Sequence, residues 1–256
     1  MKSGRSEYLL QSGPELERLR LQAVVWEPDA QRLFDAIGVG EGWRCVDIGC
    51  GAMGVLRPLS RAAGARGEVV GVDRDESLLR AAEDFVETHA LTNVRVQRDD
   101  VFDSALPAES FDLVHMRFML APIGRFDELL RAALRLCRPG GIVVLQEPDA
   151  SCWSALSPTP AFDALRDAIL QAFAANGGDF NAGRRTYAML QQTGLQNVGI
   201  SAAVHALPGD HPYARLPLQF AKSLGLSSEL IADFESVVES TAYLTFAVTQ
   251  VWGTKP

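Results

Sequence analysis

The stretch Val46-Asp47-Ile48-Gly49-Cys50-Gly51-Ala52-Met53-Gly54 decides the fold of this chain. Two apolar residues flank an acid, and three glycines follow, which is typical of a buried strand that enters a tight turn before a helix. Glycine has no Cβ, so Gly49 and Gly51 can adopt unusual backbone angles and allow a ligand to approach the main chain. The spacing Gly49-x-Gly51-x-x-Gly54 also fits a dinucleotide fingerprint. The pattern therefore predicts a nucleotide-like ligand.

Strand and helix patterns alternate along most of the chain. The predicted strands cover residues 44–48, 67–72, 94–97, 111–116, 142–145, 198–207 and 245–252. Short spacing and nearly continuous apolar runs indicate an α/β fold with a parallel sheet covered on both faces. The last two strands are separated by helical segments, which indicates that the final strand reverses direction. In such sheets, ligands bind beyond the carboxyl ends of the strands.

Two helices are predicted before the first strand. Ser12 and Glu15 have the spacing of a capping box, and Pro28 is typical of the start of a second helix. These helices either pack on the sheet or form a lid over a pocket.

Composition limits the classes of function. The net charge is −8 and basic residues form no run with interleaved aromatics, so a nucleic-acid partner is not expected. The four cysteines lack Cys-x-x-Cys spacing, which predicts no metal site and indicates buried thiols in a reducing compartment. Neither a signal peptide nor a membrane span is predicted. We therefore expect a soluble, cytoplasmic protein.

Two acids narrow the choice of ligand. Asp47 lies two residues before Gly49, where a carboxylate would repel a pyrophosphate and attract a cation. S-adenosylmethionine carries a sulfonium and an ammonium group, so an acidic site suits it. Asp73 ends the second strand, where an acid can accept hydrogen bonds from ribose hydroxyls. That position fits NAD and S-adenosylmethionine alike.

Five ordered motifs resemble those of the class I S-adenosylmethionine-dependent methyltransferases. They are Val46-Asp47-Ile48-Gly49-Cys50-Gly51, Val70-Gly71-Val72-Asp73, Arg98-Asp99-Asp100-Val101, Ser110-Phe111-Asp112-Leu113-Val114 and Leu136-Cys137-Arg138-Pro139-Gly140-Gly141. The resemblance covers residues 40–150 and is closest to the small-molecule branch that includes ubiquinone/menaquinone C-methyltransferase-like proteins. It implies a Rossmann-like, seven-stranded, mostly parallel sheet with the last strand antiparallel, and S-adenosylhomocysteine as a product.

The resemblance implies roles for four residues around the methionine part of the cofactor. Gly49 and Gly51 would pass beneath it, and Asp47 would orient it directly or through water. Arg117, just past the fourth strand, would line the same side. One position departs from the family pattern, because Met53 stands where a third glycine is common.

Four more residues would hold the nucleoside part of the cofactor. Asp73 would bind the ribose, with Arg74 beside the adenine. Asp100 would accept a hydrogen bond from the adenine amino group, and the backbone amide of Val101 would contact the ring.

Methyl transfer is a direct displacement that depends chiefly on alignment, and a base is needed only if the acceptor must lose a proton. His115 and Glu147, near the ends of adjacent strands, are the predicted catalytic residues. His115 has the alternative of packing below the pocket. Tyr8, Gln22 and Tyr187 are further candidates that would face the acceptor.

The predicted activity is methyl transfer to carbon or oxygen of a small, hydrophobic metabolite, such as a polyketide, terpenoid or quinone-like acceptor. The Asn/Asp-Pro-Pro-Tyr signature of nucleic-acid amino-methylating enzymes is missing after the fourth strand. Apolar residues outside the strands are compatible with such an acceptor: Trp26, Phe118, Met119, Trp153 and Phe162. Two alternatives stay open, a cyclase-like protein that binds the cofactor without methyl transfer and an NAD-dependent oxidoreductase.

One domain is expected over residues 1–256. Residues 1–40 would form the N-terminal helices or lid, 41–150 the cofactor-binding core, and 151–256 the acceptor-side helices and last two strands. The sequence leaves the oligomeric state open, a homodimer included.

Overall fold

The computed structural model describes residues 15–240 and 243–256. Its helices are α1 (Glu15–Ala36), α2 (Leu56–Ala63), α3 (Glu76–Thr88), α4 (Leu120–Ile123), α5 (Phe126–Leu136), α6 (Pro160–Ala175), α7 (Gly183–Gln192), α8 (Leu216–Ser223) and α9 (Ser228–Ser240). Its strands are β1 (Arg44–Ile48), β2 (Glu68–Asp73), β3 (Val94–Arg98), β4 (Phe111–Arg117), β5 (Cys137–Pro148), β6 (Ser154–Ala155), β7 (Gln196–Pro208) and β8 (Tyr243–Thr254).

The strands form one sheet in the order β3-β2-β1-β4-β5-β8, and β6 and β7 both pair with β8. Neighbouring strands from β3 to β5 are parallel, whereas β8 runs antiparallel to β5 and to β7. The predicted α/β class and the reversal of the last strand are confirmed. The two-residue strand β6 was not predicted, because it is too short to show any alternation.

Both faces of the central strands are buried, which explains their continuous apolar runs. Val46 and Val70 belong to one hydrophobic cluster, while the neighbouring Cys45 and Val69 belong to a second cluster on the other face. Parallel strands buried in this way direct their carboxyl ends to one edge of the sheet, where the connecting loops meet.

The N-terminal region differs from the prediction of two helices. A single helix α1 passes through Pro28 without ending. Proline has no N–H for the carbonyl four residues earlier, which is that of the exposed residue Val24, and the helix continues although this hydrogen bond is lost. The predicted start at Ser12 lies outside the described residues.

Side-chain bonds hold α1 against the rest of the fold. Arg57 of α2 donates two hydrogen bonds to Glu27, of 2.7 and 2.6 Å. His205 of β7 lies 2.6 Å from the Asp29 carboxylate. The helix is therefore attached at both the α2 side and the β7 side.

Two local predictions were wrong. Strand β5 begins at Cys137 rather than at the predicted residue 142, because Gly140 and Gly141 exchange 2.8 Å backbone hydrogen bonds with Lys255. Cys152 is exposed, whereas the other three cysteines are buried as predicted.

Within residues 15–240 and 243–256, no helix combines the length and the apolar character that a membrane crossing requires.

Candidate functional site

A cavity of about 540 Å³ lies beyond the carboxyl ends of strands β1 to β5 and beneath α1. Its first part is lined by the glycine turn, which we define as residues 49–54, and by the loops after β2 and β3. Its second part, the aromatic compartment, is lined by Trp26, Trp153, Phe180, Tyr213, Phe220 and Phe246. The volume is in the range of small-molecule sites.

The glycine turn adopts the conformation that its sequence predicts. Gly49 and Gly51 have φ angles of +70° and +54°, in the left-handed region that favours glycine. The amides of Gly49 and Cys50 both donate to the carbonyl of Val72, at 2.8 and 3.0 Å. Strand β2 therefore holds the start of the turn, and the backbone of Gly51 faces the cavity wall formed by α1.

Gly54, rather than position 53, is where the turn requires its third glycine. Its φ angle is +47°, and a Cβ there would collide with the Asp47 carboxylate and lie 2.9 Å from the Cys50 carbonyl oxygen. The close approach allows Asp47 Oδ2 to accept a 2.9 Å hydrogen bond from the amide of Val55. Met53 therefore does not disrupt the turn, because its own position carries no such constraint.

His115 lies beneath the turn and not in the cavity. Its side chain is 0% exposed, its Nδ1 is 2.7 Å from Asp47 Oδ1, and its Nε2 is 2.9 Å from Gln146 Oε1. Phe34 packs against the ring at a centroid distance of 5.7 Å. This geometry argues against His115 as the predicted base. It favours the alternative that His115 packs below the pocket, where its hydrogen bond positions Asp47.

Glu147 is also buried away from the cavity. Its carboxylate accepts backbone hydrogen bonds from Met119, Leu120 and Ala121, at 2.9, 2.9 and 3.1 Å. These amides begin α4, where a helix leaves donors without acceptors. The Glu147 carboxylate, which was predicted to be a base, therefore caps the start of α4. Its hydrogen bonds hold the segment after β4, and that segment lines the cavity.

A pH dependence of stability follows from the burial of Glu147. Burial raises the pKa of this carboxyl from 4.5 to about 8, although three amide donors oppose the shift. Because the pKa is higher in the folded chain, folding favours the protonated form, and this stabilisation is complete below the unfolded pKa and lost as the pH rises through the folded pKa. The free energy of unfolding, measured in urea, should fall relative to that of Glu147→Gln by up to about 1.4 kcal/mol per pH unit between these two values. Parallel pH profiles of the two proteins would contradict this.

Asp73 lies where the sequence predicts it, at the end of β2 and on the cavity wall. Its Oδ2 accepts from the amide of Gly51 at 2.9 Å, and its Oδ1 accepts from the amide of Asp75 at 3.0 Å. Burial raises the pKa of the carboxyl, and the backbone donors oppose that shift. An ionised carboxylate has about four acceptor positions, so Asp73 can bind a ligand as well as the turn. Arg74 is exposed at the mouth of the cavity.

The loop after β3 contributes the other predicted nucleoside contacts. Asp100 Oδ1 accepts from the amide of Phe102 at 3.0 Å and so caps the short 3₁₀ turn of residues 101–103. Val101 is the first residue of this turn, where an amide has no acceptor within the turn. Both residues line the cavity.

Arg117 connects β4 to the glycine turn. Its Nη2 donates to the carbonyl of Gly54 at 2.8 Å, while its buried Nη1 has no hydrogen-bond partner among the described residues. Burial lowers the pKa of the guanidinium, and the negative charge of Asp47 opposes this. Phe118 follows in the left-handed region, at φ +56°, a strained conformation of the kind that collects at functional sites.

The aromatic compartment is a connected set of rings. Trp153 lies 5.3 Å from Phe180 and 5.4 Å from Phe246, and Phe180 lies 5.0 Å from Phe220. Tyr213 packs on Phe246 at 5.2 Å. Edge-to-face contacts of this kind give the walls defined positions.

The sequence predicted only some of the residues that line this compartment. Gln22, Trp26 and Trp153 line the cavity as predicted, whereas Phe162 is in the core and Tyr187 lies outside the lining. Tyr8 lies outside the described residues. Phe180, Tyr213, Phe220 and Phe246 were missed, because aromatic residues in helices, loops and strands have the same pattern whether they face a core or a cavity.

The fold and the cavity define a Rossmann-like protein in which one cavity joins a glycine turn to an apolar compartment. A family model described as a methyltransferase domain matches residues 40–193. The chain belongs to this methyltransferase domain family.

Curated relatives match about half of the chain. A demethylmenaquinone methyltransferase of Geobacillus kaustophilus (strain HTA426) is 31% identical over 122 residues, which are 48% of this chain and 51% of the relative. A nocamycin O-methyltransferase of Saccharothrix syringae is 34% identical over 123 residues, 48% of this chain and 44% of the relative. The chain thus matches about half the length of these relatives.

Solved structures share the fold over most of the chain. A geranyl diphosphate C-methyltransferase from Streptomyces coelicolor A3(2) superimposes with a TM-score of 0.56 at 14% identity, covering 99% of this chain and 88% of that one. A phosphoethanolamine N-methyltransferase 2 from Haemonchus contortus has a TM-score of 0.61 at 15% identity, covering 99% and 60%. At this level of identity, the likeness establishes the fold alone.

Proposed function

We propose that the protein transfers the methyl group of S-adenosylmethionine to a small, hydrophobic metabolite. The observation that carries the proposal is the single cavity in which the glycine turn of a methyltransferase domain opens directly into the aromatic compartment. A cofactor over the turn would present its reactive group to a molecule held by the rings. The curated relatives include enzymes named for methylation of small molecules, which supports the same class of acceptor.

The charge of the cavity fits a cationic cofactor. Six carboxylates line it against three arginines: Glu15, Asp47, Asp73, Asp75, Asp99 and Asp100 against Arg18, Arg74 and Arg117. When bound, S-adenosylmethionine supplies an electrophilic methyl group on a sulfonium, a leaving group that needs no activation. The acidic lining favours the positive sulfonium and ammonium groups.

The unpartnered nitrogen of Arg117 fits the one anionic group of the cofactor. Arg117 Nη1 is buried beside the glycine turn and lacks an acceptor within the described residues. A guanidinium donates well to a carboxylate, so Arg117 would bind the carboxylate of the methionine part, with Asp47 orienting its amino group. Gly49 and Gly51 would pass beneath that part.

The remaining cofactor contacts follow from the loops after β2 and β3. Asp73 would accept from the ribose hydroxyls, and Arg74 would lie beside the adenine at the mouth. Asp100 retains an oxygen for the adenine amino group, because only its Oδ1 is bound to the backbone in the described residues. The amide of Val101 would donate to the ring.

Calorimetry with S-adenosylhomocysteine tests the cofactor assignment, with NADH as the matched alternative. We expect S-adenosylhomocysteine to bind and NADH not to bind. Tight NADH binding without S-adenosylhomocysteine binding would overturn the proposal.

Mass spectrometry of metabolite mixtures incubated with S-adenosylmethionine then tests methyl transfer. A product that gains one methyl group supports transfer, whereas product formation with S-adenosylhomocysteine in place of the donor would indicate the cyclase-like alternative.

A further inference from the structure

The hydroxyl of Tyr213 is a buried hydrogen-bond donor in the wall of the aromatic compartment. Tyr213 is 4% exposed and lines the cavity. The indole N–H of Trp26 donates to its oxygen at 2.8 Å. An indole nitrogen is only a donor, so the tyrosine proton cannot be directed at Trp26 and remains available for another acceptor.

The surroundings fix this hydroxyl in place. The Tyr213 ring makes edge-to-face contacts with Trp26 and Phe246, at centroid distances of 6.2 and 5.2 Å. Its backbone amide donates to His211 Nδ1 at 3.1 Å, which holds the start of the short 3₁₀ turn that carries it. A donor on a rigid ring, already oriented by a second hydrogen bond, is preorganised for one ligand position.

The two side-chain charges that act on the Tyr213 hydroxyl are those of Arg18 and Arg117. Burial raises the pKa of Tyr213 to about 12, so the side chain stays a proton donor over the physiological range, while the positive charges of Arg18 and Arg117 act in the opposite direction. Nearby acids are bound elsewhere: Glu15 to Arg18, Glu27 to Arg57, Asp29 to Arg32 and His205, and Asp47 to His115 and Val55. A ligand oxygen at Tyr213 therefore meets a hydrogen-bond donor, with the guanidinium groups of Arg18, which is paired with Glu15, and Arg117 nearby.

We propose that Tyr213 positions the methyl acceptor by donating a hydrogen bond to an oxyanion, and that the acceptor is a planar apolar molecule with an acidic phenol or enol group. This inference rests on the proposed function. The aromatic compartment would hold the planar body, and the hydroxyl of Tyr213 would hold the charged oxygen. An acceptor that ionises in water before it binds brings its electron pair with it. When that oxygen attacks the methyl group, the bond from methyl to sulfur breaks, S-adenosylhomocysteine leaves as the neutral thioether, and no side chain has to remove a proton inside the cavity. The burial of His115 and Glu147 away from the cavity is consistent with such an acceptor.

A matched pair of probes tests this inference. The probes are 4-nitro-1-naphthol, whose anion absorbs visible light, and its methyl ether, which has the same rings but cannot ionise. At a pH where the free naphthol is ionised, we expect wild type to bind the naphtholate at least about tenfold more tightly than the ether, because a hydrogen bond to a charged group contributes about 1.5–3 kcal/mol. The absorbance of the bound probe should also titrate at a lower pH than that of the free probe.

Variants assign the effect to one hydroxyl. Tyr213→Phe should reduce the preference to about threefold or less and return the bound probe's titration toward that of the free probe. Tyr187→Phe is the matched control, because it removes a hydroxyl outside the cavity lining and should leave the preference unchanged. S-adenosylhomocysteine affinity should be the same in both variants and in wild type.

Three results would overturn the inference: equal binding of both probes by wild type, an unchanged preference in Tyr213→Phe, or a parallel loss of S-adenosylhomocysteine affinity in Tyr213→Phe. If Tyr213→Phe does not fold, equal binding of the two probes by wild type still overturns the inference. Titrations with and without S-adenosylhomocysteine separate the two proposals. Failure of S-adenosylhomocysteine to bind rejects the proposed function, whereas failure of the naphtholate preference alone rejects only the role of Tyr213.

Discussion

Asp73→Asn is expected to weaken S-adenosylhomocysteine binding by about 10- to 150-fold. The carboxylate at the end of β2 is proposed to accept from two ribose hydroxyls, and a hydrogen bond to a charged group contributes about 1.5–3 kcal/mol. Asparagine keeps the volume of the side chain and one acceptor oxygen, but it has no charge and presents an amide donor. Calorimetric titration of the variant and the wild type measures the difference.

Two controls separate ligand binding from folding in this experiment. Asp73 also accepts from the amides of Gly51 and Asp75, so unfolding curves must show that the variant keeps its fold. Asp84→Asn, on the exposed surface of α3 and outside the cavity lining, should bind S-adenosylhomocysteine like wild type. A folded Asp73→Asn protein with unchanged affinity would remove Asp73 from the cofactor site.

Glu147→Ala is expected to lower the free energy of unfolding by about 3–5 kcal/mol. The substitution removes a buried side chain and leaves the amides of Met119, Leu120 and Ala121 without their acceptor. Each buried donor that loses its partner costs about 1–3 kcal/mol. Urea unfolding followed by circular dichroism gives the value at a pH below 4.5, where the wild-type carboxyl is protonated.

Glu147→Gln is the informative comparison, because its amide oxygen can still accept from Met119 and Leu120. Below pH 4.5, where the Glu147 carboxyl is protonated in both the folded and the unfolded chain, we expect this variant to lose about 1 kcal/mol, the typical contribution of one hydrogen bond. Glu128→Ala, at a surface position of α5, should change stability by about 0.5 kcal/mol or less. Equal stabilities of the alanine and glutamine variants would show that the cap does not contribute as the geometry implies.

The central fold was accessible from the sequence because its signals are local. A strand that is buried on both faces has a continuous apolar sequence, and a turn with left-handed backbone angles contains glycine. Pro28 shows the limit of such signals. A proline ends many helices, but here α1 continues through it, held by the contacts of Glu27 with α2 and of Asp29 with β7, which are distant in sequence.

The polar residues near the strand ends show the same limit. Asp73 and Glu147 are both acids at the end of a parallel strand, yet one lines the cavity and the other caps α4. The difference arises because side chains on a strand alternate between the two faces, and what covers each face is set by distant parts of the chain. His115 likewise lies under the turn because Asp47 and Gln146 are its neighbours across β1 and β5.

The sequence by itself determined the glycine turn, the acid at the end of β2, the parallel sheet with a reversed last strand, and the family that these motifs resemble. These depend on contacts between residues close along the chain or on strict patterns of burial. Only the tertiary structure decided which polar groups reach the cavity, and that Trp26, Tyr213 and Phe246 line one compartment. These residues are far apart in sequence and meet because α1, the turn after β7 and strand β8 pack at one edge of the sheet. No local sequence pattern indicates that packing.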